Sequence, residues 1–225
     1  MSFTKKHNLK ASYFIQARID DTQRLEERIV IWSENIEEIG KHLRLLSISN
    51  NHSEEIPVDQ ALEIWTKMTI NIRGQKQTVF LIGNGASASM ASHVAADLAK
   101  NAHIHTEVFT DLSLITAIAN DMSFEEVYAE PLKRRIVRGD MLVAISSSGR
   151  SPNILRAVHT TKEIGGRVIT LSAMNPENPL RREGELNFYI PAETYGMAET
   201  CHSAILHYWI DRIVSVNSIK GHETK

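Results

Sequence analysis

Two pairs of ionisable side chains stand at spacings that would suit acid–base or metal chemistry. His93 and Asp97 lie four residues apart in a segment of helical character, so both side chains would share one helix face. Nearer the C-terminus, Glu199 and His207 are a little over two helical turns apart, with His202 between them. Imidazole and carboxylate groups can ligate zinc and can transfer protons. Polar pairs are also common on solvated helix faces, so spacing alone leaves that alternative open.

Two other segments have the composition of anion-binding loops. In the first, Gly83 to Ser87 (GNGAS), glycines join a β-rich run to a helix whose free N–H groups attract anions. The second, Ser146 to Ser151 (SSSGRS), also joins a strand to a helix and supplies four hydroxyl groups. Ser151 suits an N-cap and Pro152 a first helical residue. Several donors converging on one group favour a compact phosphate monoester.

The first loop has a second interpretation. The spacing of Gly83, Gly85 and Ala88 fits a loose dinucleotide-binding fingerprint, with Asp111 as a loose acidic partner. The serine-rich second loop favours a sugar phosphate, because a dinucleotide site does not need it. For either loop taken alone, a plain turn before a capped helix stays an alternative.

The N-terminal third of the chain is predicted to be mainly helical. Apolar residues recur at helical spacing from Tyr13 to Leu46, in two segments. The polar run from Ser47 to Glu55 predicts a loop, and Val58 to Ile72 a further helix. We expect a helical extension over residues 1–75.

From Thr78 onward, short β-rich runs alternate with helical segments, which is the α/β pattern. We expect a three-layer αβα sandwich around a five-stranded parallel sheet, as one folding unit over residues 76–225. The predicted strands are Thr78–Ile82, Thr106–Thr110, Met141–Ile145, Arg167–Leu171 and Leu186–Ile190. The main predicted helices are Ala86–Lys100, Leu112–Asn120, Phe124–Val137, Pro152–Ile164 and Met197–Val216.

Composition narrows the class of partner. Lys and Arg total 25 against 27 for Asp and Glu, so no global field attracts nucleic acid or an anionic membrane. Cys201 is the only cysteine, which excludes an internal disulfide and fits a reducing compartment. Without an apolar stretch long enough for export or for a membrane span, we expect a cytoplasmic location and neither nucleic-acid nor membrane partners.

In this order along the chain, the two loops resemble those of the sugar isomerase (SIS) domain family. The segments GNGASASMASHVAADLAK, ITAIAND and AISSSGRSPNIL are similar to those of bacterial phosphoheptose isomerases. The resemblance implies a homotetramer with active sites at subunit boundaries. It also implies aldose–ketose isomerisation of sedoheptulose 7-phosphate to D-glycero-D-manno-heptose 7-phosphate through an enediol.

The resemblance assigns roles to individual positions. It places His93, Asp97, Glu199 and His207 in the active site. Because an enediol reaction needs a base for carbon and an acid for oxygen, we assign Asp97 as the base on carbon and His207 as the acid and base on oxygen. One zinc ion per subunit is implied at the set His93, Asp97, Glu199 and His207. The residues expected to bind the phosphate or the sugar are Asn84, Gly85, Ser87, Asn120, Asp121, Ser146, Ser147, Ser148, Ser151 and Glu199.

Four positions depart from the family's usual residues. Asp97 replaces a glutamate, and Glu199 replaces a glutamine. Asn101 stands where an arginine is usual, and Gly196 where an aspartate is usual. Because these positions lie where the sugar would bind, an isomerase or epimerase of another sugar phosphate stays open. A non-catalytic regulator of the same fold, binding a phosphosugar or a protein, is a further alternative.

Overall fold

A mostly parallel sheet forms the centre of the computed structural model, which describes residues 31–222 and the side chains of residues 31–216. From His42 onward the chain forms one compact unit. The helices are α1 (Trp32–Arg44), α2 (Val58–Gly74), α3 (Ala86–Ala102), α4 (Leu112–Asp121), α5 (Glu126–Arg135), α6 (Pro152–Ile164) and α7 (Tyr195–His222), with a 3₁₀ turn at Pro179–Arg182. The strands are β1 (Ser47–Asn50), β2 (Thr78–Gly83), β3 (His105–Val108), β4 (Met141–Ser146), β5 (Arg167–Ala173) and β6 (Leu186–Ile190).

The order of the strands fixes where a site can form. It runs β1-β6-β5-β4-β2-β3, with β2 to β6 parallel and β1 antiparallel to β6. From β2 the chain steps to β3 on one side, whereas from β4 it steps to β5 and β6 on the other. The connectivity therefore reverses between β2 and β4, and ligands of open α/β sheets bind at such a point, beyond the carboxyl ends of the strands. Both predicted anion-binding loops begin there.

Helices cover both faces of the sheet because the central strands are apolar throughout. All six residues of β4 are buried, as expected for a parallel strand with helices on each side. On one face, Phe80 and Leu142 pack in a core cluster with residues of α4, α5 and α6. Helices α2, α3 and α7 pack together against the other face. Trp65 of α2 stacks on Trp209 of α7 there, with ring centroids 4.0 Å apart.

The predicted αβα architecture and its five parallel strands are confirmed, but the strand count is wrong. A sixth strand, β1, lies in the run from Ser47 that was predicted as a loop, and it pairs with β6. Its one apolar residue, Ile48, carries too little periodicity to predict a strand from sequence. The predicted helix from Tyr13 to Leu46 is observed over Trp32–Arg44, and its part before residue 31 lies outside the described residues.

None of the helices formed by residues 31–222 combines the length and apolar character needed to cross a lipid bilayer.

Candidate active site

The first loop is shaped by two glycines. A Cβ atom at Gly83 would lie 2.6 Å from the carbonyl carbon of Ser87, too close for any other residue. Gly85 adopts φ +56° and ψ −125°, a backbone conformation that favours glycine, and α3 begins directly after it. The Ser87 side chain is buried in the first turn of α3. The chain therefore turns sharply and presents the N-terminus of α3 to the strand ends.

The second loop brings its hydroxyl groups together. Ser146 and Ser147 are buried at the end of β4. Ser146 Oγ lies 3.3 Å from Ser151 Oγ, and the Ser151 hydroxyl does not cap α6. Among the described residues, Ser147 Oγ has no hydrogen-bond partner. A buried hydroxyl without a partner costs free energy, so Ser147 is well placed to bond to a ligand.

The Asn178 side chain packs against the backbone of the second loop. Gly149 has φ +61°, and a Cβ atom there would lie 1.9 Å from the Asn178 Oδ1 atom. The amide of the fully buried Asn178 donates to the Asn175 carbonyl at 2.8 Å and to Ser172 Oγ at 3.3 Å. The Leu180 N–H donates to the Gly149 carbonyl at 3.1 Å. The loop thus rests on the segment after β5, a support that the sequence motifs do not indicate.

The two loops are joined directly by a pair of side-chain amides. Asn84 Nδ2 donates to Asn153 Oδ1 at 3.0 Å, and Asn153 Nδ2 donates to Asn84 Oδ1 at 2.8 Å. The Tyr128 hydroxyl donates to the Gly83 carbonyl, which anchors the first loop from α5. Burial raises the pKa of this phenol, so it stays a donor. Sequence reasoning found Asn84 but missed Asn153, which lies in the helix after the second loop, and Tyr128, which belongs to no motif.

Both loops open on one cavity of about 160 Å³. Seven of the predicted substrate-binding residues line it, and Gly85 shapes the loop backbone beside it. Tyr195, at the start of α7 and 62% exposed, also lines the cavity and was missed. The lining residues are Asn84, Ser87, Ile145, Ser146, Ser147, Ser148, Ser151, Tyr195 and Glu199.

The imidazole and carboxylate groups form a second cluster, between α3 and α7. His93 Nε2 lies 3.4 Å from Asp97 Oδ2, and the rings of His93 and His207 are 5.3 Å apart. One ligand atom from each of these three residues lies within 4.8 Å of the other two. The side chain of His93 is 60% exposed and that of Asp97 is 25% exposed. Three nitrogen and oxygen donors at this spacing could hold a divalent ion.

Three predicted site residues lie outside the cluster or the cavity to which they were assigned. Glu199 is not part of the cluster and lines the cavity instead, so the predicted four-residue metal set separates into three residues and one. Asn120 and Asp121 are exposed at the end of α4 and do not line the cavity. Asn120 Nδ2 donates to Asp121 Oδ1 at 2.8 Å.

His202 is a buried part of the framework. Its Nε2 atom lies 3.2 Å from the Ser172 carbonyl, and its side chain is fully buried. Burial disfavours the imidazolium ion and lowers the pKa of His202 to about 4. His202 is therefore neutral near pH 7, and its Nε2–H donates to β5 near the second loop.

Comparisons with known proteins agree with this geometry. A family model described as the SIS domain matches residues 45–173. A phosphoheptose isomerase from Aromatoleum aromaticum is 31% identical over 165 residues, covering 70% of this chain and 81% of that protein. One from Helicobacter pylori is 30% identical over 141 residues, covering 60% of this chain and 73% of that protein. The solved phosphoheptose isomerase from Neisseria gonorrhoeae aligns with a TM-score of 0.69 at 25% identity, covering 84% of this chain and 99% of that one.

Proposed function

Because this chain belongs to the SIS-domain family, and within it to the phosphoheptose isomerases, we propose that it converts sedoheptulose 7-phosphate to D-glycero-D-manno-heptose 7-phosphate. One observation carries the proposal. A cavity lined by serine hydroxyls from two loops lies at the switch point of the sheet, and its helices α3 and α7 also carry the imidazole–carboxylate cluster. The first feature suits a phosphate, and the second suits proton transfer.

The cavity would hold the phosphate end of the substrate. The hydroxyls of Ser87, Ser147 and Ser151 and the helix N-termini after both loops offer hydrogen bonds to an anion. A hydrogen bond to phosphate would stabilise Ser147 Oγ most, since this atom is buried without a partner among the described residues. Glu199 would contact the sugar at the open end of the cavity.

The cluster would carry the proton transfers. In the ketose-to-aldose direction, Asp97 removes a proton from C1, and the electron pair forms the C1=C2 double bond of an enediol. His207 donates a proton to O2 and accepts one from O1. Return of a proton to C2 completes the aldose, so one proton has moved between neighbouring carbons. His93 orients the Asp97 carboxylate from 3.4 Å.

We further propose one zinc ion per subunit at this cluster. His93, Asp97 and His207 would hold the ion because their donor atoms already converge and three protein ligands leave a position free, as in catalytic zinc sites. Asp97 and His207 would each use one atom as ligand and keep a second oxygen or nitrogen atom for proton transfer. Glu199, the fourth residue of the predicted set, lines the cavity instead and is proposed to contact the sugar. When bound, the ion supplies Lewis-acid polarisation of the carbonyl group.

The active enzyme is proposed to be a cytoplasmic homotetramer. Leu112, Met122 and Phe124 are large apolar side chains exposed on or beside α4, the helix that also carries Asn120 and Asp121. A neighbouring subunit that covers this surface would place the two polar residues at a subunit boundary. The division into a helical extension, residues 1–75, and a SIS domain, residues 76–225, stays a proposal as well, in which strand β1 of the extension pairs with β6 of the domain.

The test is turnover followed by NMR. Wild-type protein, with and without a chelator, is mixed with sedoheptulose 7-phosphate, and formation of the aldose is monitored. We expect the aldose from wild type and much less after chelation. If wild type gives no aldose from this ketose but isomerises another ketose phosphate, the substrate assignment is wrong. Binding without any turnover would indicate a non-catalytic phosphosugar-binding protein.

A further inference from the structure

The amide pair of Asn84 and Asn153 crosses the gap between the two phosphate-binding loops. Each amide donates to the other, at 3.0 Å and 2.8 Å, so the contact is a closed two-bond ring. Asn153 is 1% exposed, whereas Asn84 is half-buried and lines the cavity. One partner is therefore fixed in the framework, and the other belongs to the site.

The two partners differ in how firmly the backbone holds them. Asn153 is the second residue of α6, and its Oδ1 atom also accepts a hydrogen bond from the Ile154 N–H at 3.1 Å. Asn84 stands between Gly83 and Gly85, the least restricted residue type on either side. A segment of this kind takes its position from the contacts made to it. Tyr128 contacts the Gly83 backbone carbonyl, and Asn153 contacts the Asn84 side chain.

The geometry assigns Asn153 the role of a positioning residue. We propose that it acts through Asn84 to set the distance between the two halves of the anion site, Ser87 on one loop and the serines of Ser146–Ser151 on the other. The inference rests on the proposed function only in taking phosphate as the ligand. A pocket for a small tetrahedral anion needs donors from both loops at fixed separation, and a shared amide ring supplies that constraint.

Affinity for inorganic phosphate tests the proposal without requiring turnover. We would measure it by titration calorimetry for wild type, Asn153→Ala, Asn84→Ala and the double variant. Asn153→Ala is expected to weaken phosphate binding about 10-fold, or about 1.4 kcal/mol. Added to Asn84→Ala, it is expected to change the affinity by less than about twofold, because its effect passes through Asn84.

Thr161→Val is the matched control on the same helix. Thr161 is fully buried, and its Oγ1 atom donates to the Ala157 carbonyl at 2.9 Å, away from both loops. The Thr161→Val variant should lower the free energy of unfolding by an amount comparable to one lost buried hydrogen bond and leave phosphate affinity unchanged. If Asn153→Ala does not fold, Asn153→Ser replaces it, with the same expected loss.

Two results would overturn the inference. One is an Asn153 variant that is less stable but binds phosphate as wild type does. The other is full additivity of the two single variants, which would mean that Asn153 does not act through Asn84. If wild type fails to isomerise sedoheptulose 7-phosphate while the affinities follow the expected pattern, the proposed function fails and the role of Asn153 stands.

Discussion

The cavity and the cluster of His93, Asp97 and His207 are built in different ways. The cavity is formed by loops at the sheet's switch point, held by buried partners such as Asn153 and Asn178. The cluster consists of side chains on the surfaces of two helices, and the His93 side chain is 60% exposed. Hydrogen bonds join the loops to α5, to α6 and to the segment after β5. The position of each cluster residue, by contrast, is set by its own helix.

Phosphate binding and proton transfer should therefore depend on different parts of the molecule. Loops fixed by packing can hold a phosphate in the free protein, because their donors are already in place. An exposed cluster is adapted more easily, since a changed side chain there disturbs little packing. Of the departures that the family resemblance implies, the one at Asp97 lies in this cluster, whereas Glu199 lines the cavity beside the unchanged serine loops.

The largest expected effect is on turnover alone. Asp97→Asn and His207→Ala should each lower kcat by about 10² to 10⁴-fold, the usual contribution of a general acid or base. Phosphate affinity should stay unchanged, because neither residue lines the cavity. Steady-state kinetics and calorimetry check both parts. His52→Ala, at an exposed histidine outside the cluster, is the control. Loss of phosphate binding in the cluster variants would contradict the assignment of phosphate binding and proton transfer to separate parts of the site.

The next largest effect is expected on binding. Gly149→Ala places a Cβ atom 1.9 Å from Asn178 Oδ1 in a backbone region that costs about 1 to 3 kcal/mol for a residue other than glycine. We expect phosphate affinity to fall more than about 100-fold as the loop moves off its support. Gly74→Ala is the matched control, since a Cβ atom there meets nothing within 4 Å. Equal phosphate affinity in both variants would show that the support is dispensable.

The stability of the framework beneath the second loop should depend on pH through His202. His202 has a pKa of about 4 in the folded protein against 6.5 without burial, so the unfolded chain binds more protons between these values. Stability from this group is therefore full above pH 6.5, falls as the pH drops towards 4, and is lost below that. The loss should be about 3 kcal/mol.

Urea unfolding across this pH range, compared with His202→Gln, isolates the contribution of His202. Glutamine keeps a donor for the Ser172 carbonyl but does not titrate in this range. The variant should therefore lose less stability than wild type between pH 6.5 and 4. Parallel curves for the two proteins would contradict a buried neutral imidazole.

The smallest expected effect is at Ser147, where a substitution should raise stability but weaken phosphate binding. Ser147→Ala removes a buried hydroxyl that has no partner among the described residues, so we expect the free protein to gain about 1 kcal/mol. Phosphate affinity should nevertheless fall about 10-fold, through loss of a hydrogen bond to a charged group. Thr160→Val is the control, because its Oγ1 atom is also buried without a described partner but lies on α6 away from the cavity. Chemical denaturation and calorimetry should give a stability gain for both variants and an affinity loss for Ser147→Ala only.

Features of the fold that depend on local sequence pattern could be predicted from the sequence. Apolar runs ending in glycine and serine are local signals, so the five parallel strands and both loops were predicted correctly. The convergence of His93 and Asp97 was likewise predicted from helical spacing. Strand β1 was missed because its four residues become a strand only through pairing with β6.

The remaining site residues depend on tertiary contacts. The pairing of Asn84 with Asn153 joins positions 69 residues apart, and nothing in either motif indicates the other. The separation of Glu199 from His207 follows from the way α7 passes the cavity, which spacing along the helix does not fix. The exposure of Asn120 and Asp121 reflects the position of α4 at the surface.

In the proposed reaction, the cluster moves a proton between neighbouring carbons of a bound sugar phosphate. Incubating wild type with sedoheptulose 7-phosphate in D₂O tests it most directly, with deuterium at C1 and C2 followed by NMR. We predict deuterium at C2 of the aldose and at C1 of the recovered ketose, both greatly reduced in Asp97→Asn. Recovery of unlabelled ketose without aldose, from wild type that binds phosphate, would contradict the account.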